Sequence, residues 1–413
     1  MQINYRETVL DNGLKVLVHT DRSTAMVAFN LIYDVGAKDE DPQRTGFAHL
    51  FEHLMFGGSK NVKDFDMELE KVGASNNAFT NNDFTNYYIT VPPDALQVAF
   101  RVESDRMRDL TLTPRKLEVQ KGVVIEEFKE RCLNQPYGDS DLLVRPLCYR
   151  KHPYAWSTIG KKIEHIEQVT LAEVKSFYNT FYKPDNAILT VAGPVEADAV
   201  FEMARQWFGA IPKGNRPPRR LPQEPVQTKA RTKTVGRKVP ADAIYKTFHM
   251  GPRMSDDFYV FDLVSDILSN GESSRFYTSL VKEKKLFNSI NAYVSGDIEP
   301  GMFLVSGFLE EGVDFARAED AVNQEIERLI LEPVRESELE KVKNKLETAL
   351  LFSNMKAIDK AMNLGYFELM GSAAALNAED GRYRGVTALQ IQEAVKRCLT
   401  PANSSTLYYQ AKK

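Results

Sequence analysis

Cysteine, histidine and tryptophan are scarce: three Cys, six His and two Trp in 413 residues. Three thiols, Cys132, Cys148 and Cys398, cannot complete a set of disulfides and share no metal-ligand spacing. A disulfide-stapled scaffold is thereby excluded, and reduced, buried thiols are expected. No apolar run approaches the roughly 20 residues of a membrane span. The N-terminus, Met1-Gln2-Ile3-Asn4-Tyr5-Arg6, has neither an apolar signal core nor the acid-poor character of a transit peptide, so a cytoplasmic chain without a membrane span is expected. Excess charge of one sign is also missing. With 53 Lys+Arg against 57 Asp+Glu, a net charge of -4 and a pI near 6.0, the composition argues against general binding to nucleic acid. The 43% hydrophobic and 27% charged residues that are present suit a globular protein of about two or three domains.

Where histidine is rare, its placement is informative. His49-Leu50-Phe51-Glu52-His53 sets two imidazoles four residues apart, on one face of a helix, with Glu52 directed at the same space. Phe47, Leu50, Phe51, Leu54 and Met55 form an apolar stripe at helical spacing, and Gly57 and Gly58 follow as a stop signal. This HxxEH order inverts HExxH, and both orders serve zinc-dependent peptide hydrolysis. Catalytic zinc takes three protein ligands and keeps a position open for water, so a third ligand is needed. The segment 116–130 reads as a helix carrying Glu118, Glu126, Glu127 and Glu130, among which spacing alone does not choose.

Residues 213–240 carry five prolines, including Pro217, and nine Lys or Arg against the single acid Glu224. They read as an extended, solvated linker between an N-terminal domain, 1–212, and a C-terminal domain, 241–413. The flanking halves share a layout. A strand 26–33 leads through Gly36 to the HxxEH helix, and a strand 244–249 leads through Gly251 to a helix 258–268. Pro184-Asp185-Asn186 and Pro401-Ala402-Asn403 each precede a closing strand. A duplicated α+β unit explains this. The second copy carries Asp262 and Asp266 where the first has histidines, so one zinc per chain is expected. Further expectations are a short helix 64–72, a strand 84–91, and capping boxes at Thr170-Glu173 and Ser337-Glu340.

The HxxEH helix followed downstream by Val123-Val124-Ile125-Glu126-Glu127 resembles the pitrilysin and insulin-degrading family of zinc peptidases. Nearly the whole chain follows the family pattern, including His152-Pro153-Tyr154, where His152 is expected to be structural. The resemblance implies Zn2+ as cofactor, Glu127 as third ligand with Glu126 as the alternative beside it, and Glu52 as the base that takes a proton from the metal's water. It implies that Asn77, Ala78 and Phe79 lie on an edge strand that pairs with the bound peptide. It also implies two homologous domains, each a mainly antiparallel sheet covered by helices, forming half of a clamshell completed by a second subunit, as in mitochondrial and bacterial processing peptidases.

Two departures stand out. Gln120 occupies the position, two turns before Glu127, where the family often has a second carboxylate that supports the ligand. Lys282-Glu283-Lys284-Lys285-Leu286-Phe287-Asn288-Ser289 has Lys282 in place of an Arg and lacks the Tyr that in the family hold substrate and oxyanion. A heterodimer whose partner supplies that pair is therefore expected, with a homodimer as the other possibility. The expected function is an endopeptidase acting on unfolded peptides. The alternatives are a noncatalytic core or scaffold subunit of the same family and a zinc hydrolase of a nonpeptide substrate.

Overall fold

A computed structural model describes residues 2–216 and 218–412; Met1, Pro217 of the expected linker and Lys413 lie outside them. The fold is α+β, with two compact units. The first contains Met1–Phe128, Trp156–Leu221 and Leu350–Ala378; the second contains Lys129–Ala155, Pro222–Ala349 and Glu379–Lys413.

The first unit is built on β1 (Arg6–Val9), β2 (Lys15–Thr20), β3 (Val27–Tyr33), β4 (Ser75–Thr80), β5 (Thr85–Val91) and β6 (Ala187–Gly193), in the order β1-β2-β6-β3-β5-β4. The second is built on β7 (Arg231–Arg237), β8 (Ala243–His249), β9 (Phe287–Val294), β10 (Met302–Leu309) and β11 (Ser404–Ala411), in the order β7-β11-β8-β10-β9. Without β1 the two orders are the same. In each sheet one pair is parallel, β2 with β6 and β7 with β11, and the other neighbours are antiparallel. Such a match of order and direction is what a duplicated unit produces.

The contiguous division 1–212, 213–240, 241–413 differs from these units in two exchanged segments. The helix Ala357–Leu369 belongs to the first unit, where it packs on β2, β3 and β6. The helix Ser140–Cys148 belongs to the second, packed on β7, β8 and β11. The physical need is visible in β3, where all seven residues are buried. One face meets the main core; the other requires a cover, since side chains alternate across a strand. Small residues permit the close approach. A Cβ at Gly365 would meet Ile32 Cδ1 at 2.9 Å and Thr190 Oγ1 at 3.1 Å.

The linker is a solvated crossover only in part. Its end forms β7, and Arg216, Arg219 and Glu224 are engaged, while Lys213, Arg220, Lys229, Lys233 and Lys238 are exposed. Arg216 and Arg219 pair with Asp34 and Asp39 within the first unit. Within the second, Glu224 accepts the backbone N–H groups of Arg150, Lys151 and His152, at 2.8, 2.7 and 3.0 Å, a nest of amides suited to an anion.

Smaller expectations fare unevenly. The helix expected at 64–72 spans Phe65–Glu70, capped by Asp64, whose Oδ1 accepts from the Met67 N–H at 2.9 Å. The Thr170 capping box forms, whereas Ser337 lies inside a helix that begins at Glu336. The three cysteines are free thiols; Cys132 and Cys148 are buried, and burial pushes Cys148 up to about 12, which keeps it protonated and unreactive. His152 is buried against Tyr149 and Tyr154 and accepts the Tyr154 N–H at 3.2 Å, as a structural histidine would.

Candidate metal centre

The HxxEH residues lie on α1 (Phe47–Leu54), which precedes α2 (Phe65–Glu70), α3 (Leu96–Asp109) and α4 (Pro114–Phe128). Leu50 and Phe51 are fully buried and Leu54 nearly so, within the core that also holds Leu31, Tyr33, Tyr87 and Tyr182. Burying each such side chain contributes about 2 kcal/mol, and this fixes which face of α1 remains for chemistry. That face carries His49, Glu52 and His53.

The N-terminus of α1 is held from outside the helix. Gly46 has φ +85° and no side chain to cap with, and a Cβ there would meet the Ile159 carbonyl at 2.8 Å. Glu40 takes over the capping role. Its Oε2 accepts from the Gly46 N–H at 3.0 Å and the Trp156 Nε1–H at 3.0 Å, and its Oε1 from the Ala48 N–H at 2.8 Å. Burial pushes the carboxyl up to about 8 against the pull of these donors. Each of these partners gives a hydrogen and none accepts one, so the arrangement suits the ionised carboxylate, which also complements a helix N-terminus.

Opposite α1, α4 presents Glu127. Its Oε2 lies 3.6 Å from His49 Nε2 and 3.4 Å from His53 Nε2, and the two Nε2 atoms are 3.4 Å apart. The imidazole rings stand at 90° to each other. Ligands about 2.0–2.1 Å from a tetrahedral zinc sit about 3.3–3.4 Å from one another. The donor set and its spacing therefore fit zinc. Among the described residues this is the one group of three or more His, Cys, Asp or Glu side chains with ligand atoms so gathered, and it lies in the first unit. Glu126 is exposed and falls outside the trio, while Gln120 is half-buried on the Glu127 face of α4.

Glu52 is oriented by a residue that the sequence reading missed. The Thr80 hydroxyl donates to Glu52 Oε2 at 2.5 Å. Thr80 ends β4, and β4 lies at the edge of its sheet beside β5, with Asn77, Ala78 and Phe79 just before it. Ala78 packs on the core, Asn77 Oδ1 accepts the Ala78 N–H at 2.8 Å, and Phe79 is 38% exposed with its ring 5.7 Å from that of Phe84. Period two puts Ala78 and Thr80 on one face, but a link between Thr80 and a helix 28 residues earlier leaves no mark in local spacing. In the altered segment, Lys282 is exposed at the end of a helical turn and Phe287 is buried in β9.

Comparison with known proteins agrees with this geometry. The family model described as Insulinase (Peptidase family M16) matches residues 15–155, the stretch holding His49, Glu52, His53 and Glu127. The model described as Peptidase M16 inactive domain matches residues 168–346. Zinc protease PqqE of Helicobacter pylori is 29% identical over 351 residues, covering 82% of this chain and 78% of that one. The mitochondrial-processing peptidase subunit beta of Caenorhabditis elegans is 29% identical over 211 residues, half of this chain and 45% of that one. The crystal structure of a protease from Helicobacter pylori superposes with a TM-score of 0.93 at 24% identity, covering 99% of this chain and 100% of that chain, a likeness of fold. The chain belongs to peptidase family M16, the pitrilysin and insulinase family of zinc peptidases.

Proposed function

We propose that the protein is a zinc-dependent endopeptidase acting on unfolded peptides, with His49, His53 and Glu127 as metal ligands and Glu52 as general base. The observation that carries this reading is the meeting of two imidazole nitrogens and a carboxylate oxygen at tetrahedral spacing, on the helix face that also bears Glu52. Zinc held by these three residues would polarise the scissile carbonyl and bring the pKa of a bound water to about 7. The remaining tasks fall to the protein's own groups. Glu52, its Oε2 held by the Thr80 hydroxyl, takes the proton of the attacking water on its carboxylate and delivers it to the departing amide nitrogen. Backbone groups of Asn77, Ala78 and Phe79 hold the peptide as a strand added to β4, which requires an extended segment and no particular sequence.

The segment 282–289 offers Lys282 and no tyrosine. We therefore assign the missing Arg and Tyr to a second family subunit in a heterodimer that completes a clamshell chamber. Among the described residues no helix is long and apolar enough to cross a membrane.

The test is cleavage of an unstructured peptide by the purified chain, alone and with the subunit that copurifies with it. We expect turnover about 100-fold faster with the partner, the size of a lost oxyanion donor. Glu52→Gln is expected to keep zinc and lose at least about 100-fold in turnover. Full turnover in Glu52→Gln would refute the base, and equal rates without a partner would remove the heterodimer. The second reading, a noncatalytic scaffold subunit, is favoured by the altered 282–289 segment and by the match to an inactive domain. Zinc binding without turnover in either preparation would establish it.

A further inference from the structure

We propose that Arg216 and Arg219 are positioning residues for the metal centre, acting through the loop 34–40. This rests on the zinc-peptidase reading and extends it to residues that touch neither metal nor substrate. Arg219 is fully committed to that loop. Its Nε donates to Asp39 Oδ1 at 2.7 Å, its Nη1 to Asp34 Oδ1 at 3.0 Å, and its Nη2 to Asp39 Oδ2 and the Asp34 carbonyl at 2.9 Å each. Arg216 Nη1 donates to the same Asp34 carbonyl at 2.9 Å and to Asn186 Oδ1. Forked, charge-assisted contacts of this kind fix orientation as well as proximity.

What the clamp holds is a junction with two outputs. Glu40, next to Asp39, accepts the Gly46 and Ala48 N–H groups and so sets the first turn of α1, one residue before His49. On its other side, the Ala37 and Lys38 N–H groups donate to the Asn81 and Asn82 carbonyls at 3.1 and 2.9 Å, and Lys38 Nζ meets Asp83 Oδ1 at 2.7 Å in a buried pair. Residues 81–83 form the turn that follows Thr80, the group holding Glu52. One clamped loop therefore anchors both the helix of the ligands and the strand that orients the base. A lysine in either place supplies charge without the fork, so charge alone would not reproduce the geometry.

The experiment uses the full chain with its partner and the variants Arg216→Ala/Arg219→Ala, Arg216→Lys/Arg219→Lys and, as a control in the same segment, the exposed Arg220→Ala. Amide exchange at residues 46–48, zinc affinity by competition with a chromophoric chelator, and kcat and KM are measured. The double alanine variant is expected to show faster exchange, about tenfold weaker zinc binding and about tenfold lower kcat with KM little changed. Added guanidinium ion should restore part of the kcat, the lysine pair should remain impaired, and Arg220→Ala should match wild type. Unchanged exchange and zinc affinity in the double variant would overturn the proposal, and so would a kcat loss that guanidinium does not touch. A wild-type complex without peptidase activity would sink the functional reading, while exchange and zinc affinity would still decide the clamp.

Discussion

Thr80 shows how much of the centre depends on a single hydroxyl. A carboxylate on a helix has several rotamers, and the 2.5 Å bond from Thr80 selects one of them for Glu52. Thr80→Val keeps the shape and removes the donor; we expect zinc to be retained and peptide turnover to fall about tenfold, measured as kcat at constant metal content. A different residue pair sets acid sensitivity. Asp21 is buried, which pushes its carboxyl up, but the Lys360 ammonium at 2.5 Å and the Ser23 hydroxyl and N–H outweigh burial and hold it well below the usual carboxylate range. A folded-state pKa below the unfolded one stabilises above the unfolded value, near 3.9, and that stabilisation is lost as pH falls through the folded one. Asp21→Asn, which strands a buried ammonium, is expected to cost about 3 kcal/mol at pH 7. In chemical denaturation the gap to wild type should narrow as pH drops below about 4.

At the scale of elements, legibility followed distance along the chain. The helix α1 could be read because its apolar stripe, its stop glycines and its chemistry share one short stretch, and the duplicated layout because turn residues recur before matching strands. The third ligand was open by spacing among four glutamates and was named only through a family pattern. Neither the linker's engagement nor the covering helices were legible. Arg216 and Arg219 look like solvated charge until Asp34 and Asp39, far upstream, are placed beside them. Likewise the periodicity of residues 357–369 identifies an apolar face but not the sheet it covers. That helix depends on a small contact residue. Gly365→Val would drive a branched side chain toward Ile32, Thr190 and Asn30, at a cost of about 2 kcal/mol, visible as a lowered Tm with zinc affinity unchanged.

Viewed whole, the protein repeats one architecture and specialises one copy. The first unit carries the proposed metal ligands; the second keeps the strand order and holds no such trio among the described residues, but a polar pair in which Tyr383 donates to Asp262 Oδ2 at 2.6 Å and burial raises Asp262 to about 6. A duplicated scaffold can lose its chemistry and keep its fold because the sheet and its covering helices, not the site, provide most of the buried apolar surface. The exchange of the helices Ser140–Cys148 and Ala357–Leu369 has a further consequence, in the order of events on the ribosome. His49, His53 and Glu127 have all been synthesised by residue 127, yet the second face of their unit's sheet is not sealed until residue 369 emerges. The nascent first unit must wait, open on one side, through most of translation. For the same reason a gene cut at the linker would encode two halves, neither of which could finish folding by itself.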